Sequence, residues 1–167
     1  MDIGLKKILS KVTNAHYNGI LACEFDPNKT YLLSTTGMDY SIKFWDIKNL
    51  TAPVAAVFNN THWIWDLKYN KRFSRVMITC SSSSVVRGIV FEKEADSEET
   101  ENRLDRQADY SYIQNHSAID YVEFDDAVYS LDWSMNDPWT FAAVSFNSYL
   151  YINSIPEDIK YQIMLDN

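Results

Sequence analysis

Three histidines, two cysteines and scattered carboxylates are the side chains of this 167-residue chain best suited to chemistry. One set among them has donors and acceptors that match in series. In His16, Thr35, Asp39 and Trp45, the indole N–H only donates, the threonine hydroxyl gives and accepts, and a neutral imidazole does one of each. Linked as Trp45 to Thr35 to His16 to Asp39, they satisfy every polar group inside an otherwise apolar sheet. Each such bond is worth about 1 kcal/mol net, and an orphaned member costs roughly 1–3 kcal/mol. A Thr, a His and an Asp are also the residue types of a hydrolytic triad. The sequence supplies neither a nucleophile elbow nor an oxyanion loop, so a structural role is expected. His16, His62, His116, Cys23 and Cys80 are too far apart to suggest a metal site, and no Gly-rich phosphate loop occurs. No catalytic residue, cofactor or metal is expected, and no enzyme.

A hydrogen-bonded chain of this kind needs strands to hold it. Short apolar runs alternate with turn signals about every ten residues. Residues 20–25, 31–36, 42–45 and 54–58 read as four strands, with His16 ahead of them and Trp45-Asp46 near the end. That is the blade unit of a β-propeller. Residues 63–69, 75–80 and 85–91 repeat the plan, as do 127–133, 140–145 and 149–152. Asp26-Pro27 and Asp137-Pro138 each fall between a first and a second strand, where Pro suits a tight turn. In the second unit Asn60 and Ser83 stand where His and Asp would be; in the third, Phe124 and Asn147 do. These two units must lean on packing, and most of Trp63, Trp65, Tyr69, Tyr129, Trp133, Trp139 and Phe141 are expected in the core. Trp63 and Trp65 share a side of their strand and read as packing between blades.

The expected fold is all-β: three consecutive four-stranded WD-repeat blades of a β-propeller, in an incomplete, open ring. Residues 1–15 lead in, either as the outer strand of a preceding blade, the favoured reading, or as a short helix carrying Leu5, Ile8, Leu9 and Val12. Residues 16–58 form a WD-repeat blade and 59–91 a degenerate one. Residues 92–117 form an acidic flexible loop, 118–155 a degenerate last blade, and 156–167 a closing segment. Between Glu92 and Asp109, eight acids and three bases place −5 of the net charge of −8, with Leu104 the one large aliphatic side chain. Such a stretch buries too little apolar surface to offset its ordering entropy.

The acidic balance disfavours nucleic acid and anionic lipid as partners. No apolar run approaches the roughly 20 residues of a membrane span, and Met1-Asp2-Ile3-Gly4 begins neither a signal peptide nor a myristoylation motif. Two cysteines do not make a disulfide framework, and a cytosolic-type chain is expected. Asn28, Asn49, Asn59 and Asn115 lie in glycosylation sequons that matter only in a secreted protein.

Several longer stretches carry a family likeness. They are Phe25-Asp26-Pro27-Asn28-Lys29 with Lys43-Phe44-Trp45-Asp46; His62-Trp63-Ile64-Trp65-Asp66-Leu67-Lys68-Tyr69-Asn70; Ala127-Val128-Tyr129-Ser130-Leu131-Asp132-Trp133 with Asp137-Pro138-Trp139 and Tyr151-Ile152-Asn153; and Lys160-Tyr161-Gln162-Ile163-Met164-Leu165. From about residue 12 onward the chain resembles the C-terminal half of the EARP and GARP complex-interacting protein family of WD-repeat proteins, the acidic loop included. The resemblance implies a propeller scaffold without catalytic activity. It implies binding to multisubunit tethering complexes in endosomal recycling and endosome-to-Golgi traffic, at endosomes and the trans-Golgi network. The alternative is a substrate receptor of a cullin-type ubiquitin ligase, which uses Trp-Asp-x-Arg. Here that motif reads Trp45-Asp46-Ile47-Lys48, and Lys lacks the bidentate fork of Arg. Loop positions Asn18, Met38, His62, Asp126 and Asn147 are the candidate partner-binding face. Three blades are fewer than the four at which propellers typically begin to close, so missing blades or a second chain are expected to complete the ring.

Overall fold

The computed structural model describes residues 8–58, 60–92, 110–122 and 124–165. Three antiparallel sheets follow one another along the chain. The first is β1 (Ile20–Phe25), β2 (Leu32–Gly37), β3 (Ile42–Asp46) and β4 (Ala55–Val57), in that order. The second is β5 (Ile64–Tyr69), β6 (Val76–Ser81), β7 (Val86–Phe91) and β8 (His116–Tyr121). The third has β9 (Val128–Trp133), β10 (Thr140–Ser145) and β11 (Leu150–Ser154). A short helix α1 (Ser111–Gln114) precedes β8, and α2 (Glu157–Leu165) follows β11. β1 packs beside β5 and β5 beside β9, so the sheets form an open arc, with one core between each neighbouring pair.

The repeat is metric as well as topological. Thr36 pairs with Ile42, Cys80 with Val86 and Val144 with Leu150. Asp26, Asn70 and Ser134 each open the turn between first and second strands. Their side-chain oxygens accept from the backbone N–H groups two and three residues on, which is why short polar residues occupy these positions. The turns between second and third strands place Tyr40, Ser84 and Ser148 at positive φ, of 64°, 60° and 68°. Two residues before each of these, the backbone N–H groups of Met38, Ser82 and Phe146 donate to the carbonyls of Gly19, Trp63 and Ala127. In this frame the two Asp-Pro pairs are not equivalent. Asp26 caps its turn, whereas Asp137 sits three residues further into the matching one and accepts from Trp139 N–H.

The first core buries Leu32, Ile42 and Phe44 of one sheet against Ile64, Tyr69, Met77 and Phe91 of the next. Phe44 meets Phe91 edge to face at 5.7 Å. The second buries Val76, Ile78 and Val86 against Leu131, Trp133 and Phe141. Each such side chain contributes about 1.5–3 kcal/mol of transfer free energy. Polar contacts pin the sheets in register. Tyr69 N–H donates to Glu24 at 2.7 Å, Ser130 O–H to Asp66 at 3.1 Å, and the Trp133 indole to Lys68 O at 3.0 Å.

Three expectations need correction. Among the described residues the third sheet has three strands, not four. Residues 116–121, divided between the acidic loop and the last blade in the sequence reading, form the fourth strand of the second sheet. There Arg87 and Asp120, directly opposed, make a two-armed ion pair at 2.5 and 2.7 Å. Residues 8–15 belong to neither helix nor strand. The closing segment is helical from Glu157. Pro156 precedes it, Glu157 and Asp158 suit its positive end, and Ile163 anchors it in the second core. Most of the acidic stretch, residues 93–109, lies outside the described residues.

Candidate functional site

His16, Thr35, Asp39 and Trp45 meet on the outward face of the first sheet. β2 supplies Thr35 and β3 supplies Trp45, while the turn between those strands supplies Asp39. The Trp45 indole donates to the Thr35 hydroxyl at 2.8 Å, and Thr35 lies 2.7 Å from His16 Nε2. His16 Nδ1 lies 2.8 Å from Asp39. With Thr35 donating to Nε2, the proton on Nδ1 points at the carboxylate, and every donor has one acceptor. Asp39 also accepts from Ser41 O–H at 2.7 Å and Tyr17 N–H at 3.0 Å. Burial works against its charge, but the bonds from His16, Ser41 and Tyr17 prevail and hold its carboxyl far below the usual range. Lys43, 3.3 Å away, gives its remaining reach to Ala15 O.

The contacts are those of a catalytic relay, but their setting is not. Thr35 and His16 are buried, and the threonine oxygen already takes the indole proton. An attacking oxygen must be open to substrate, so this arrangement serves the fold. It also sets a neighbour. A Cβ on Gly37 would lie 2.5 Å from Gly19 O and 2.7 Å from His16 Nδ1. The matching residues of the other sheets, where no histidine stands, are Ser81 and Ser145. Ser81 O–H meets Ser83 O–H at 2.7 Å, and Ser145 donates to Asn147. The degenerate sheets thus keep a shorter polar link across the same turn.

The five loop residues Asn18, Met38, His62, Asp126 and Asn147 all fall at one end of the arc. They lie where β1, β5 and β9 begin and where second strands turn into third strands. Asn18 takes φ of 78°, and Asn18, His62 and Asp126 are exposed, while Met38 covers Gly19 and Asn147 is tied to Ser145. Sequence reasoning missed the aromatic side chains at this end. Tyr17, Tyr40, Trp63, Phe146 and Tyr149 are exposed, as is Tyr129, whose ring lies 5.0 Å from Phe146. Of the seven aromatics expected mostly in the core, Tyr69, Trp133 and Phe141 are buried and Trp65 and Trp139 pack against it, while Trp63 and Tyr129 are exposed. Trp63 meets Trp65 edge to face at 5.9 Å, and Trp65 packs against the core between the second and third sheets. The ligase-type motif is engaged within the chain. Asp46 accepts from Tyr110 O–H at 2.8 Å and from Lys48 N–H, and the Lys48 ammonium sits 4.2 Å above the Tyr31 ring. Among the described residues no cluster of His, Cys, Asp or Glu is arranged for a metal, and no helix is long and apolar enough to cross a membrane.

Residues 7–46 match the WD domain, G-beta repeat, family. The human EARP and GARP complex-interacting protein 1 is 33% identical over 165 residues, which cover 92% of this chain and 43% of that protein. The EARP-interacting protein homolog of Gekko japonicus is 33% identical, covering 98% and 45%. The EARP-interacting protein 1 of Caenorhabditis elegans is 24% identical, covering 92% and 44%. The chain spans less than half the length of the curated relatives it matches. The chain thus carries a WD40 repeat with His16, Thr35, Asp39 and Trp45 hydrogen-bonded in series, and along 92% of its length it is similar to the EARP and GARP complex-interacting proteins.

Proposed function

We propose that this chain is a non-catalytic WD-repeat adaptor. It binds multisubunit tethering complexes of the EARP and GARP kind, in endosomal recycling and endosome-to-Golgi vesicle traffic, as a cytoplasmic protein peripheral to those membranes. Relatedness over 92% of the chain to proteins named for that interaction carries the reading. The exposed aromatics of the loop end support it, because Tyr, Trp and Phe concentrate where partners bury area at low entropic cost. The partner-binding face is assigned to that end, around Asn18, Met38, His62, Asp126 and Asn147. The tetrad supports a scaffold rather than a catalyst, since its members satisfy one another and His16, Thr35 and Trp45 are buried. Affinity capture of the tagged chain from its own cells, read by mass spectrometry, tests the reading. Recovery of tether subunits is the expected outcome. A capture that brings down none of them overturns it.

A further inference from the structure

The loops at the aromatic end of the arc carry charge of one sign. Residues 16–19, 38–41, 60–63, 82–85, 124–127 and 146–149 hold three aspartates and no lysine or arginine. Asp39 is offset within the fold, by Lys43 at 3.3 Å and by the His16 ring. Asp125 and Asp126 are not. Both are exposed, neither makes an ion pair among the described residues, and Asp126 accepts only the neighbouring Ala127 N–H, at 2.7 Å.

Aromatic side chains share this end, and the repeat shows that their exposure is built into the loops. The second sheet has a sheet packed on either side, yet its own loop exposes Thr61, His62 and Trp63 ahead of β5. Counted back from the starts of β1 and β9, Tyr17 and Asp125 hold the position of Thr61, and Asp126 that of His62; all three are exposed. Tyr17 is 78% exposed, Tyr40 44% and Trp63 39%. β5 packs beside β9, so Trp63 and Asp126 head neighbouring strands.

We propose that this end receives a basic segment of its protein partner, with lysine or arginine side chains laid over the ring faces of Trp63, Tyr17 and Tyr40 and their charge met by Asp125 and Asp126. The proposal rests on the adaptor reading above and names the chemistry of the segment that is bound. The face of an aromatic ring is its negative side, and Trp attracts a cation most strongly. Exposed carboxylates beside such rings favour the same occupant and steer its approach. An acidic segment would meet two carboxylates with no neighbouring cation to offset them. An uncharged apolar segment would strip water from those carboxylates and return nothing to them.

The affinity of the purified chain for a purified EARP or GARP complex, measured at low salt and again at about 0.5 M salt, tests this. Affinity should fall as salt rises. Asp125→Asn with Asp126→Asn should weaken binding roughly three- to tenfold at low salt. Trp63→Phe, which keeps a ring face, should bind better than Trp63→Leu, which keeps only apolar bulk. Lys71→Gln with Arg72→Gln, in the turn at the opposite end, should leave affinity unchanged. The substituted aspartates, lysine and arginine are exposed, so those variants should keep their circular dichroism. Binding that ignores salt, or that the paired aspartate substitutions leave unchanged or strengthen, would overturn the basic segment and leave the adaptor reading standing. No binding by the wild type at either salt concentration would overturn both.

Discussion

At the scale of single residues, the tetrad and Gly37 act as one unit. His16→Ala leaves Asp39 and Thr35 without their central partner, and urea unfolding should show a loss of about 1–3 kcal/mol. The depressed carboxyl of Asp39 gives a pH signature. A carboxyl held below its unfolded value stabilises the fold above that value, and the contribution fades as pH falls through the folded one. Stability should thus decline as pH drops below about 4, the ordinary aspartate range, and Asp39→Asn should flatten that decline. Gly37→Ala should cost about 1–3 kcal/mol by overpacking. In a double-mutant cycle His16→Ala should recover part of that cost, since His16 Nδ1 is one of the two atoms the new methyl would strike. The tetrad was legible in the sequence because its four residue types are rare together and their spacing fits one four-stranded unit. The exposed Trp63, Tyr129 and Phe146 were not: alternation tells which residues share a face of a strand, but not that their end of the strand runs out beyond its neighbour.

At the scale of elements, the turns carry a measurable strain. Tyr40, Ser84 and Ser148 hold a left-handed conformation that costs a non-glycine residue roughly 1–2 kcal/mol. Ser148 is exposed, and Ser148→Gly should raise the unfolding free energy by up to about 1 kcal/mol in urea titrations. Strand positions were legible from period-two runs bounded by Asp, Pro, Asn and Ser. β8 was not, because His116–Tyr121 has few apolar residues and owes its place to β7, through the ladder and the Arg87–Asp120 pair. Nor was α2, in which Ile159 and Ile163 alone mark a packed side, one turn apart. In both cases distant packing, not local pattern, fixes the element.

At the scale of the molecule, three sheets in one register make a rigid arc that lines up its loops at one end and leaves apolar surface at its two terminal faces. The number of blades was legible from the recurrence of strands, but the end-to-end asymmetry emerged only once burial could be compared position by position. Under the proposed function the aromatic loop end is the partner-binding surface, so truncating its side chains should weaken binding and leave the unfolding midpoint unchanged. The most direct measurement is the affinity of the purified chain for a purified EARP or GARP complex, compared with a Trp63→Ala, Phe146→Ala, Tyr149→Ala variant whose circular dichroism and unfolding midpoint match the wild type. The account predicts binding by the wild type and at least about a tenfold loss in the variant, or about 1.4 kcal/mol. Equal binding by the two, or none by either, would contradict it.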